Sequence, residues 1–322
     1  MGDVIGRGYF ITGTDTGVGK TVFTSAFVRA IQDEGLRIAA YKPVCSGAEY
    51  SDSLSPTIDL PIPSELTAGE RARVKGPHSP GQPPPPDSLP HFGAVTESNI
   101  DRGGEGAELA AYPTLPRPYW SDIEAHYAAT NAAFPRERLG PQTFLAPLSP
   151  PAAAALEGRE VDEALLVDGY RWLAERADLV LVEGAGGFYS PISTNWLNAD
   201  LAERIELPVI IVTPNRLGTI NQTLLTIEAV RQRGLTVAGV VLNLMSESID
   251  PSTASNAAEI RDRGRVTVWG EIPFSSPAEL QPSRLPESMI LEHWRFCSEN
   301  RRCSSSPSSP PSHPLPRQTE TP

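Results

Sequence analysis

The run Gly13-Thr14-Asp15-Thr16-Gly17-Val18-Gly19-Lys20-Thr21 constrains the fold of this 322-residue chain more than any other stretch. It follows a short apolar segment, Tyr9-Phe10-Ile11, and precedes Val22-Phe23-Thr24-Ser25-Ala26-Phe27-Val28, which reads as the first turns of a helix. Strand, glycine loop and helix in that order make a phosphate-binding loop a physical site rather than a string match. The glycines let the loop bend and let successive backbone N–H groups converge on phosphate oxygens. The helix start adds unpaired donors and the positive end of its dipole. Lys20 can then reach the outer phosphates, and the Thr21 hydroxyl can ligate the Mg²⁺ that travels with them. Five residues, rather than four, separate Gly13 from Gly19. The alternative is a glycine turn that happens to contain Gly-Lys-Thr, but both flanks favour a nucleotide site.

The rest of the chain must supply a sheet around that loop, and its length allows one large α/β domain or two smaller ones. The net charge of −12 and the absence of a basic face argue against a nucleic-acid partner. Three cysteines, Cys45, Cys297 and Cys303, are too few for a disulfide framework and lack zinc-site spacing. Met1-Gly2-Asp3 opens no apolar signal stretch, and no apolar run approaches the length of a membrane span. A cytoplasmic protein with no membrane partner is the expectation.

Downstream of the loop, the helix is expected to run to about Glu34 with Gly35 as its stop. Leu36–Tyr41 reads as the second strand, ending at Lys42-Pro43-Val44-Cys45-Ser46-Gly47. The pattern collapses over residues 49–118. Many of the 33 prolines fall there, including the tetraproline Pro83–Pro86, and leave neither helical nor strand period. Such a segment cannot bury enough apolar surface to offset its ordering entropy, so it reads as an unpacked, disordered insertion in a domain spanning residues 1–275. Its PxxP-like stretches could meet an SH3-type partner, although a solvated linker is the simpler reading. Ser121 or Asp122 can cap a helix beyond it. A proline-fixed bend at Phe144–Pro151 and a helix over Val161–Ala177 follow.

Asp178–Val182 is a continuous apolar strand of the doubly covered kind and ends in Glu183-Gly184-Ala185-Gly186-Gly187. Further strands are expected at Pro208–Thr213, Val237–Leu242 and Val266–Pro273, the first followed by a helix to about Arg233. Residues 276–322 read as a disordered Ser/Pro tail, broken by a short helix near Met289–Phe296. Strands alternating with helices give an open, mostly parallel α/β sheet with helices on both faces.

Four clusters fall at the carboxyl ends of strands, where ligands of such sheets bind. They are the phosphate loop, Lys42–Gly47, Glu183–Gly187, and Asn215–Asn221 with Asn243 beyond. Taken singly, Lys42 could be a surface lysine, and Glu183 could cap a helix rather than face a metal. Taken together, the runs closely resemble dethiobiotin synthetases, P-loop enzymes of biotin biosynthesis. GTDTGVGKT resembles that family's phosphate loop with its extra residue. YKPVCSG (Tyr41–Gly47) and VEGAGG (Val182–Gly187) resemble its lysine-bearing segment and metal-binding strand end. LPVIIVTPNRLGTIN, GLTVAGVVLN and GEIP (Gly270–Pro273) resemble the later core. The resemblance covers about residues 5–48 and 119–275.

The resemblance implies a ligase that joins CO₂ to 7,8-diaminononanoate and closes a cyclic urea, giving dethiobiotin, ADP and phosphate. By position, Lys20 and Lys42 would stabilise the transferring phosphoryl group and a carbamate. Gly17, Val18, Gly19, Lys20 and Thr21 would hold the phosphates of ATP, Asn243 would read adenine and Pro273 would line the base. Thr21, Asp122 and Glu183 would hold Mg²⁺, with Asp122 preferred over Asp52 because it opens a helical pattern. Thr16 and Ser46 would contact the amine and carbamate end of the substrate. Its carboxylate would meet Leu217, Gly218, Thr219, Ile220 and Asn221 of a second subunit, which implies a homodimer. Many members carry Glu where this chain has Gly17. The rival reading is a partition-type, nucleotide-switched ATPase. Such proteins place a lysine just after the start of the loop, where this chain has Thr14.

Overall fold

Strand β1 (Gly8–Gly13) is buried along its whole length and leads through residues 14–19 into α1 (Lys20–Gln32). The computed structural model describes residues 8–50, 118–248, 250–274 and 285–300. After α1 come β2 (Ile38–Tyr41), β3 (Val44–Ser46) and β4 (Glu49–Tyr50). Then follow β5 (Pro118–Tyr119), α2 (Ser121–Ala129), α3 (Arg136–Leu139), β6 (Gln142–Phe144), α4 (Pro150–Leu156) and α5 (Glu163–Ala174). The last part holds β7 (Leu179–Gly187), α6 (Asn198–Ile205), β8 (Val209–Pro214), α7 (Thr219–Gln232), β9 (Val237–Asn243), α8 (Thr253–Gly264), β10 (Val268–Ile272) and α9 (Glu287–Asn300).

Six strands form one sheet in the order β10-β9-β8-β1-β7-β2, and every pairing in it is parallel. The chain leaves β1 for the edge strand β2, returns to β7, and then crosses to β8 on the other side of β1. That reversal puts the topological switch point at the carboxyl end of β1, where the phosphate loop lies.

Both faces of the sheet are covered, which is why its strands read as unbroken apolar runs. Alternate residues of β1 serve opposite faces. Tyr9 and Ile11 pack with Phe23, Phe27 and Ile31 of α1 and with Met289 of α9. Phe10 packs on the other side, in a cluster with Leu166 and Leu173 of α5, Leu201 of α6, Ile227 of α7 and Ile260 of α8.

Three elements depart from the expectation. The short helix expected near Met289–Phe296 is present as α9, but it is longer, and it is packed rather than a break in an unpacked tail. Met289, His293 and Cys297 recur every four residues and are buried on the α1 face of the sheet. Helix α8 carries only one strongly buried aliphatic side chain, Ile260, so it offered little periodicity to read. Strand β7 continues past Glu183 because Gly13 pairs with Gly187 across a register shift.

Two small ribbons frame the sheet's carboxyl edge. β3 pairs with β6 in parallel, and β4 pairs with β5 antiparallel, Glu49 opposite Tyr119 and Tyr50 opposite Pro118. Residues on either side of the proline-rich segment are therefore hydrogen-bonded neighbours. That segment, with Asp52, lies outside the described residues.

Candidate active site

At the carboxyl end of β1 the loop turns through two left-handed glycines, Gly17 (φ 72°) and Gly19 (φ 92°). A Cβ on Gly19 would strike the Asn243 amide, so this glycine lets the loop close against the end of β9. Val18 is buried, and its carbonyl accepts from Asn243 Nδ2 at 3.0 Å. The second Asn243 contact is to Met245 Sδ at 3.1 Å. The Thr14 and Thr213 hydroxyls share a hydrogen bond at 3.1 Å, tying the loop to β8.

A cavity of about 490 Å³ opens over this loop. Thr16, Gly17, Gly19, Lys20, Thr21, Lys42, Ser46, Asp122, Glu183, Asn243 and Pro273 all line it. Residues from β1–α1, β2–β3, α2, β7, β9 and β10 thus meet in one place, as the carboxyl-edge rule requires. Leu217–Asn221 do not join them. Gly218 (φ 93°) caps α7, and Leu217 is 79% exposed. Ser46 lies at the rim, its hydroxyl donating to the Leu148 carbonyl at 2.6 Å.

The charged centre is tight. Lys42 Nζ lies 2.7 Å from both Glu183 Oε1 and Asp122 Oδ2. Thr21 Oγ1 lies 2.7 Å from Asp122 Oδ1 and 2.8 Å from Glu183 Oε1. Both Lys42 and Glu183 are buried. Burial alone would push the Glu183 carboxyl up, but Lys42 and His126 beside it hold it well below the usual carboxylate range. Burial likewise opposes charge on Lys42, and Glu183 with Asp122 overcomes it and raises the ammonium above its ordinary value. Lys20 is lowered to about 8, first by burial and then by Lys42, against the nearby carboxylates.

The oxygen set bears on a metal. One Thr21 hydroxyl hydrogen faces two carboxylate oxygens, so one of those short contacts has no proton in it. Among the described residues no cluster of three or more His, Cys, Asp or Glu could hold a metal by itself. Two carboxylates and a hydroxyl are hard oxygen donors, and they fit Mg²⁺, which takes few protein ligands beside water and phosphates.

His126 is a residue the sequence reading did not single out. It is fully buried, with Nε2 2.9 Å from Glu183 Oε2. The signal was its place four residues after Asp122, on the same face of α2. Cys45, another lining residue, is buried, and burial pushes its thiol up to about 12.

Fold and site together define a P-loop nucleotide-dependent enzyme. A family model described as an AAA domain matches residues 7–82 and 119–280. The ATP-dependent dethiobiotin synthetase of Anaeromyxobacter dehalogenans (strain 2CP-1) is 38% identical over 254 residues, covering 79% of this chain and 84% of its own length. That of Anaeromyxobacter sp. (strain Fw109-5) is 37% identical over 290 residues, covering 90% and 95%. The synthetase of Escherichia coli O157:H7 is 33% identical, covering 73% and 76%. The chain belongs to the dethiobiotin synthetase family. Among solved structures, a ParA family ATPase from Chlorobium tepidum TLS aligns at 14% identity, with 93% of each chain covered and a TM-score of 0.40.

Proposed function

We propose that the chain makes dethiobiotin from 7,8-diaminononanoate, CO₂ and ATP. The observation that carries this reading is the convergence of Lys20, Lys42, Thr21, Asp122 and Glu183 on one cavity at the switch point. A carbamate, formed from CO₂ on one amine, is a poor electrophile because its oxygen is a poor leaving group. In the first transfer, that oxygen attacks the γ-phosphorus and ADP leaves. The neighbouring amine then attacks the carbonyl carbon, the phosphate departs with the bonding pair, and the five-membered urea closes. Ring closure within one molecule has a high effective molarity, so the protein mainly positions groups and offsets charge.

Position in the cavity supports the residue assignments. Lys20 sits at the helix start against the loop, suited to the outer phosphates. Lys42, its ammonium held by Glu183 and Asp122 in the cavity that the phosphate loop and Ser46 also line, is suited to the carbamate and transferring phosphoryl group. Thr16 and Ser46 line the substrate end. Asn243 Nδ2 is engaged by Val18 and Met245, which leaves the amide oxygen to accept from an exocyclic amine such as N6 of adenine. Pro273 lines the base. Thr21, Asp122 and Glu183 would hold Mg²⁺, which when bound neutralises phosphate charge. The Leu217–Asn221 segment at the start of α7, exposed at Leu217, Gly218 and Asn221, would serve the cavity of a second copy, making the working unit a homodimer. The partition-type alternative loses support at Thr14, whose hydroxyl is directed to Thr213.

The test is dethiobiotin formation from diaminononanoate, bicarbonate and MgATP by the purified full chain. ATP turnover that ignores the diamine would refute the reading.

A further inference from the structure

We propose that His126 is a positioning residue for Glu183, fixing the carboxylate so that Oε1 is presented to Asp122 and Thr21 as a metal ligand. This inference rests on the reading of Asp122 and Glu183 as the metal carboxylates. The two oxygens of Glu183 have divided partners. Oε1 meets Thr21 Oγ1 at 2.8 Å and Lys42 Nζ at 2.7 Å, on the cavity side. Oε2 meets His126 Nε2 at 2.9 Å. Glu183 and His126 are both 0% exposed, so water does not share this bond.

The ring's tautomer follows from its surroundings. Among the described residues His126 Nδ1 has no partner, whereas Nε2 faces a carboxylate that can only accept. The hydrogen therefore sits on Nε2 and is donated to Oε2. A terminal carboxylate torsion is broad and roughly two-fold, so a Glu held at one oxygen only can swing. A donor on the other oxygen removes that freedom, and ligand-orienting bonds of this kind affect metal affinity without touching the metal.

The geometry is economical in sequence. Asp122 and His126 are one helical turn apart on α2. One helix face thus delivers a carboxylate to the centre directly and steadies a second carboxylate, from β7, through the imidazole. The arrangement makes metal affinity depend on a residue that does not itself contact the metal, the nucleotide or the reacting atoms.

The experiment measures Mn²⁺ binding to the ADP-loaded full-length protein by electron paramagnetic resonance, alongside the Mg²⁺ dependence of turnover. His126→Leu should weaken Mn²⁺ binding about 10- to 100-fold, as loss of a ligand-orienting partner does. His126→Gln, whose amide can reach Oε2, should recover most of that loss. His126→Asn, whose shorter amide cannot, should behave like the leucine variant, and the polar pair stands in if the leucine variant does not fold. At saturating Mg²⁺, kcat should return toward the parent value in all three. Equal Mn²⁺ affinity in the glutamine and asparagine variants, or parental affinity in the leucine variant, would overturn the proposal. Asp122→Ala separates the two claims. If it leaves Mn²⁺ binding intact, the metal reading itself fails; if it abolishes binding while the His126 variants do not change it, only the role of His126 fails.

Discussion

Two histidines, His126 and His293, are equally buried, and their surroundings differ in kind. His126 lies at the carboxyl edge of the sheet, against a carboxylate, in a centre built from Lys42, Asp122, Glu183 and Thr21. His293 lies on α9, among the rings of Tyr9, Phe27 and Trp294, with its Nδ1 2.9 Å from the Tyr9 hydroxyl and 3.7 Å from Cys297 Sγ. Burial pushes His293 down to about 4. Depth alone does not mark a functional histidine; the partner does. Substitutions at the cleft should change chemistry first, and substitutions under α9 should change stability first.

The largest effect is expected at Lys42. Lys42→Ala should lower turnover at least about a hundredfold, the loss expected for a charge that acts on the transferring group. ADP affinity should change far less, because Lys42 faces the reacting end and not the base. The variant should also lose on the order of 3 kcal/mol of stability, since Glu183 is left buried without its ammonium. Steady-state kinetics and denaturant unfolding of the same preparation measure both. Near-parental turnover would remove Lys42 from the mechanism.

Asp122 comes next. Asp122→Ala should raise the Mg²⁺ concentration for half-maximal turnover by about tenfold or more, as expected when a direct Mg²⁺ ligand is lost. Asp52→Ala should be nearly silent. The reverse pattern would assign the metal to Asp52 and leave Asp122 as a partner of Lys42 and Thr21 only.

The α9 face answers to pH instead. Between its ordinary value of 6.5 and the folded value of about 4, His293 takes a proton in the unfolded chain but not in the folded one. Stability from this group is therefore fully present above pH 6.5, falls as pH drops, and levels off below about 4. The loss over that window should be on the order of 3 kcal/mol. His293→Asn keeps an acceptor for Tyr9 and cannot titrate, so it should flatten this part of the curve while leaving kcat near parental. Urea unfolding between pH 4 and 8 gives the slope. An unchanged slope would move the pH dependence elsewhere.

These contrasts also explain what was legible in the chain. The sheet could be read because its strands are covered on both faces, leaving runs such as Leu179–Val182 with no polar interruption. The phosphate loop, Lys42 and Glu183 could be placed because strand ends in a parallel sheet share one edge. His126 was hidden for a physical reason. Helix α2 mixes exposed and buried positions without a clear apolar stripe, and its three buried residues, Ile123, His126 and Ala129, put an imidazole where an aliphatic side chain would be expected. Helix α9 was expected near Met289–Phe296, but its packing was not, because the serines and prolines around it masked the face marked by Met289, His293 and Cys297. The meeting of β4 with β5 had no sequence signal, because a two-residue pairing across such a long segment carries no period.

That pairing sets up the smallest expected effect. Tyr50 lies opposite Pro118 and Glu49 opposite Tyr119, and the Tyr119 hydroxyl donates to Glu49 Oε2 at 2.9 Å. The chain on either side of residues 51–117 is thus already joined by backbone bonds, and a turn of a few glycines can span it without moving α2 or Asp122. Closing a shorter loop also costs slightly less entropy, with each halving of length worth about 0.6 kcal/mol. Replacing residues 51–117 by such a turn should leave turnover within about twofold and stability within about 1 kcal/mol of the full chain, on that loop scale. The comparison should be run on both readouts, because each region answers to a different one. A fall in turnover with stability intact would mean that the segment contributes to the cleft. A fall in stability with turnover intact would mean that it packs on the sheet, and either result would replace the reading of this stretch as a solvated insertion.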